Sequence, residues 1–108
     1  MSKKEHEARI GLRTKAFIEL QELQQETEIE CPLAAQALQR AHTSLTKGDP
    51  WDTMRYLGEA IGNIQVYLAV AVMEDTSRSR LFTHLETWAL TTISTVRSIL
   101  ELEWERKR

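Results

Sequence analysis

The chain has 108 residues, of which 42% are hydrophobic and 28% charged, a composition that supports one compact globular domain and excludes a depleted, disordered one. Fourteen basic against sixteen acidic side chains leave a net charge of −2, too little positive field for phosphate-backbone binding to be a first expectation. One cysteine, Cys31, excludes an intrachain disulfide and a thiolate pair for zinc.

The opening segment Met1-Ser2-Lys3-Lys4-Glu5-His6-Glu7 mixes both signs of charge and leads into no apolar stretch. It reads as no secretory signal, so a cytoplasmic location is expected. Ser2 followed by Glu5 is a capping-box pattern, and Glu5 to Arg9 is a favourable order for a helical ion pair. Helix 1 starts there. At 100° per residue Ile10, Leu12, Ala16, Phe17, Leu20 and Leu23 share one arc, with Glu19, Glu22, Glu26 and Glu30 beside it. The pattern predicts an amphipathic helix to about Ile29.

Pro32 suits the first position of a helix, because its missing N–H would have had no intrahelical acceptor, and it disfavours the helical conformation at Cys31. A break at residues 30 to 31 follows, with Cys31 read as a small residue at a loop edge. Ala34, Ala37, Leu38, Ala41 and Leu45 mark a short, alanine-rich helix 2 that Gly48 stops.

Asp49-Pro50-Trp51-Asp52 combines a capping carboxylate, proline at the first helical position and a second carboxylate in the first turn. Helix 3 begins there. Met54, Leu57, Ile61, Ile64, Leu68 and Ala71 form the seam of a helix packed along its neighbours. Val66, Val70 and Met73 lie on the other side, so the second half of helix 3 is apolar almost all round and is expected at the bundle centre or at a subunit contact. Gly58 and Gly62 interrupt its interior at a cost of about 1 kcal/mol each against alanine. Close helix crossing would justify them, the partner being helix 2 of the same chain or a second copy, with the crossing inside the chain slightly favoured. The run Ile64 to Met73 is about half the roughly 20 residues that span a bilayer, so no membrane segment is expected.

Glu74 to Arg80 has no apolar residue and offers Asp75, Thr76, Ser77 and Ser79 as caps for the next helix. Helix 4 runs to the C-terminus with Leu81, Phe82, Leu85, Trp88, Ala89, Val96, Ile99 and Leu100 on its apolar arc. The fold class expected is all-α, an antiparallel bundle of three long helices and one short one, forming a single domain over residues 1–108.

Function is less legible. His6, His42 and His84 fall on three different helices without the spacing of a bundle metal site, so no metal is expected. No Gly-rich phosphate loop and no nucleophile with its base is visible, so neither a cofactor nor enzymatic activity is expected. The polar side of helix 4 is unusual. Thr83, Thr87, Thr91, Ser94, Thr95 and Ser98 stand where a solvated helix carries Lys, Glu, Gln or Arg. With Leu90 and the late aromatic Trp104, this face suggests a contact surface. The partner-binding residues expected are Thr87, Leu90, Thr91, Ser94, Ser98 and Trp104.

Charge is also segregated: residues 1 to 15 hold five basic and two acidic groups, and residues 16 to 31 hold five acidic and no basic ones. Antiparallel helices 1 and 4 would bring the acidic half of helix 1 to Arg78 and Arg80, mostly for mutual neutralisation. The functional expectation is a homodimeric interaction module, an adaptor or inhibitor that binds and masks another protein such as a transcription regulator. The alternative is a small-molecule or nucleotide-binding bundle with a pocket lined by Tyr56, Tyr67 and Trp88.

Overall fold

The computed structural model describes residues 2–74 and 77–107, the side chains of residues 105–107 excepted. Four helices account for nearly all of it: α1 (Lys3–Thr27), α2 (Pro32–Thr46), α3 (Pro50–Met73) and α4 (Arg78–Lys107). There is no strand among the described residues.

The boundaries follow local chemistry. The Ser2 hydroxyl accepts the Glu5 amide at 3.2 Å and opens α1. α1 ends at Thr27, two residues before the expected Ile29, where the buried Thr27 hydroxyl donates back to the carbonyls of Leu23 and Gln24. Residues 28–30 form the turn, and the Cys31 amide donates to the Thr27 carbonyl at 2.8 Å. Pro32 and Pro50 each occupy the first helical position, and the Asp49 carboxylate accepts the Asp52 amide at 3.1 Å. Gly48 closes α2 with φ of 80°, a left-handed conformation that a side chain would strain. α4 begins at Arg78, earlier than the apolar pattern indicates. Of the expected caps, Asp75 and Thr76 lie outside the described residues.

Each helix packs antiparallel on two neighbours, α1 on α2 and α4, and α3 on α2 and α4. Pairs across the interfaces set the register: Phe17 against His42 with ring centroids 4.1 Å apart, Arg9 with Glu103 at 3.0 Å, and Tyr67 against Phe82 at 5.7 Å. The core is continuous along the axis through Ala16, Leu20, Leu23, Leu38, Leu57, Ile64, Leu85, Val96 and Ile99. It uses the apolar stripe read from each helix. At α2, Ala34, Ala37 and Ala41 are buried, so the short helix approaches its neighbours closely.

Unequal helix lengths give the molecule its shape. α2 has 15 residues, α3 has 24 and α4 has 30, and the whole measures 52 × 20 × 19 Å. Four helices stand side by side only over the length of α2, about 22 Å. The tight turn at residues 47–49 folds α3 back along α2, and fifteen residues bring α3 level with the start of its neighbour. The remaining turns of α3 run past α2 beside the start of α4. At the opposite end the Arg13 guanidinium reaches the Leu45 carbonyl at 3.3 Å, so the first turns of α1 run past α2 beside the end of α4.

Of the two places expected for the second half of α3, the bundle centre is excluded: Val66, Val70, Val72 and Met73 are 63%, 46%, 62% and 85% exposed. The physical reason is orientation: the side of α3 that carries Leu57, Ala60, Ile61, Ile64 and Ala71 is buried, and Val66, Val70 and Met73 lie on the opposite side of the helix. By length and mean hydropathy of 1.3 over 18 residues, α3 is also apolar enough to cross a membrane, which the uninterrupted run alone understates; its 28% burial over that window marks a partly covered helix. Arg9 departs from expectation too, its guanidinium pairing with Glu103 on α4 and not with Glu5.

Candidate interaction surface

The hydroxyl series of α4 stands on its outer side. Thr87, Leu90, Thr91 and Ser94 are exposed and Ser98 is half-buried. Every hydroxyl in the series donates to the carbonyl four residues earlier: Thr87 to Thr83 at 3.0 Å, Thr91 to Thr87 at 3.0 Å, Ser94 to Leu90 at 3.3 Å and Ser98 to Ser94 at 3.1 Å. Such back-bonding satisfies the donor within the helix. What each threonine then presents outward is mainly its methyl group, and with Leu90 the stripe becomes weakly apolar and uncharged. A partner docking on it would desolvate no charge and strand no hydroxyl donor. Thr92 and Thr95 of the same run are buried; Thr95 also donates to Glu19 of α1 at 3.4 Å.

The structure brings five of the six expected contact residues onto this stripe. Trp104 lies further along, about 9 Å beyond Ser98 at 1.5 Å per residue, with the Arg97–Glu101 ion pair of 3.3 Å between them. It is 60% exposed and so is not folded back onto α1. It stands on the two-helix end formed by α1 and α4, where an indole edge is free to anchor a second chain.

Other candidate sites do not assemble. Tyr56, Tyr67 and Trp88 do not converge: Tyr56 lies under the Arg55 guanidinium, Tyr67 packs on Phe82, and Trp88 packs on His84. The two tyrosines are eleven residues apart on one helix, about 16 Å, which is why no common pocket forms. The grooves seen are separate: one of about 370 Å³ beside Ile10, Phe17 and Ile18 where α2 ends, one of about 510 Å³ between α2 and α3 beside Arg40, Lys47, Asp52 and Tyr56, and one of about 420 Å³ between α3 and α4 beside Tyr67, Glu74 and Arg78. No group of three His, Cys, Asp or Glu side chains is placed to hold a metal ion among the described residues. Cys31 stands at the loop edge as expected, at the N-cap of α2, but it is fully buried there, and burial pushes its thiol up to about 11 from 9.0. At neutral pH it is an inert core thiol.

Nor do Gly58 and Gly62 mark a crossing inside the chain. A β-carbon added at either meets nothing within 4 Å. Both glycines lie on the outer side of α3, in line with Val66 and Ala69. Periodicity identifies their shared face without indicating which way it points.

Charge complementarity along α1 and α4 is real but local. Arg78 meets Glu30 at 3.6 Å and Arg9 meets Glu103, whereas Glu22, Glu26 and Glu28 stay exposed. The fold is an all-α, up-and-down bundle with two outer stretches that lack a charged residue, residues 60–73 on α3 and 87–96 on α4. No protein-family model, curated protein or solved structure matches this chain at a significant level.

Proposed function

We propose that this protein is a homodimeric interaction module of the cytosol, an adaptor or inhibitor that acts by covering a surface of another protein, such as a transcription regulator, and performs no chemistry of its own. The observation that carries the reading is the α4 stripe of Thr87, Leu90, Thr91, Ser94 and Ser98. Its hydroxyls are committed to the helix backbone, and no charged residue occurs over residues 87–96. A solvated helix gains solubility and helix propensity from Lys, Glu and Arg at such positions. Keeping hydroxyls there costs propensity and is repaid when the face is covered by another chain. Trp104 supplies an anchor at the edge of that contact.

The test is affinity capture with tagged wild-type protein and the variants Thr91→Arg and Trp104→Ala, the captured partner then being identified and titrated as a purified protein. Thr91→Arg places a charge in the middle of the stripe and is expected to weaken the purified partner's binding about a hundredfold. Trp104→Ala is expected to cost about tenfold or more. A partner that binds both variants with wild-type affinity refutes this face as the contact.

A further inference from the structure

Between Ala60 and Met73 α3 carries no charged residue over fourteen positions, although its outer side faces solvent. Val66, Val70 and Met73 are open, and Gly62 continues the same face toward the middle of the helix with no side chain above it. We infer that this outer face of α3 packs against the same face of a second copy, forming a twofold dimer in which two α3 helices cross.

Three observations select a second copy over another occupant. First, a face with no charge is complementary to itself, as a twofold contact requires; a charged partner would gain nothing from it. Second, the area fits. At roughly 150–200 Å² for a fully open residue of this size, Val66, Val70 and Met73 offer about 330 Å², and the helix surface at Gly58, Gly62, Gln65 and Ala69 brings the face toward the roughly 800 Å² per partner of a standard interface. Third, Gly58 and Gly62 lie on this face, and a β-carbon added at either meets nothing within the chain. The close helix crossing that would justify two interior glycines is left to a second α3. A lipid surface fits less well: along α3 the face is bounded by Glu59 and Glu74, where a helix lying on a membrane carries Lys and Arg.

The inference rests on the homodimeric part of the proposed function, deepens it, and leaves the α4 stripe to the masked partner. Sedimentation equilibrium of the full chain at about 1 to 200 μM tests it. The wild type is expected at twice its 12.5 kDa mass. Val66→Glu/Val70→Glu is expected to raise the dimer dissociation constant at least about a hundredfold, since each copy then buries unpaired charge. Its circular dichroism should stay unchanged, because both side chains stand in solvent in the single protomer. Gly62→Leu, whose added atoms have open space within the chain, is the second variant and is expected to weaken the dimer as well. Thr91→Arg should remain dimeric while losing the partner, so a failed α4 contact and a failed α3 contact give different results.

A wild type that is monomeric throughout overturns the inference. So does a dimer that both α3 variants leave intact, or a monomer that cosediments with phosphatidylcholine–phosphatidylglycerol vesicles through Val66 and Val70.

Discussion

Replacing Gly58 and Gly62 together by alanine tests the outward orientation of α3 directly. Both glycines lie inside a 24-residue helix, and an added β-carbon at either meets nothing within 4 Å. No packing penalty therefore opposes the gain in helix propensity, about 0.5–1 kcal/mol per site. The sites share no partner, so the double variant should gain about 1–2 kcal/mol. For a chain of this length, with an unfolding entropy near 2.1 cal/mol/K per residue, that raises Tm by roughly 4 to 9 °C. The measurement belongs in the Val66→Glu/Val70→Glu background, where self-association cannot add its own concentration-dependent stabilisation. Thermal unfolding followed at 222 nm and urea titration should agree. A Tm lowered by the alanines would mean that another helix of the same chain lies against these glycines, and that this face of α3 points inward.

Three further outcomes follow from the packing. Leu57→Ala, at a fully buried position, should cost about 2–5 kcal/mol in urea unfolding, whereas Leu90→Ala, at an exposed one, should stay within about 0.5 kcal/mol. Asp49→Ala removes the carboxylate that accepts the Asp52 amide and should lower stability by about 1 kcal/mol, with Asp49→Asn recovering most of it. Cys31 should resist Ellman's reagent at pH 8 until the chain is unfolded. Its thiol ionises near 9.0 in the unfolded chain and near 11 in the folded one, so the unfolded state holds fewer protons between those values. Stability must therefore fall as pH rises through that window, by at most about 3 kcal/mol. The Cys31→Ala variant should lose this part of the slope, and an unchanged slope between pH 9 and 11 would refute the burial argument.

Much of the fold was legible because helix ends and helix faces are local properties. Asp49-Pro50 and Cys31-Pro32 mark starts through groups that proline and aspartate satisfy within one turn, and the structure begins α3 and α2 at those prolines. The spacing of Leu20 and Leu23, of Leu57, Ile61 and Ile64, and of Val96 and Ile99 picks out the residues that become the core. On the candidate site, the run of hydroxyls from Thr87 to Ser98 was visible as a departure from ordinary helix surface. Its back-bonded geometry is a matter of side-chain rotamers and emerges only in the structure.

What the sequence by itself determined is therefore four helices, their order, and the side of each that seeks burial, since all of these depend on interactions within a few residues. Only the tertiary structure decided where burial runs out. Periodicity groups Gly58, Gly62 and Val66 on one side of α3, but whether that side meets α2, α4 or water depends on the lengths and register of other helices. Because α2 and α4 both pack on the side of α3 that carries Leu57, Ala60, Ile61 and Ile64, side chains as apolar as Val70 and Met73 on the other side remain uncovered. Hydrophobicity is a property of the residue. Exposure is a property of its neighbours, and on α3 both neighbours lie on one side.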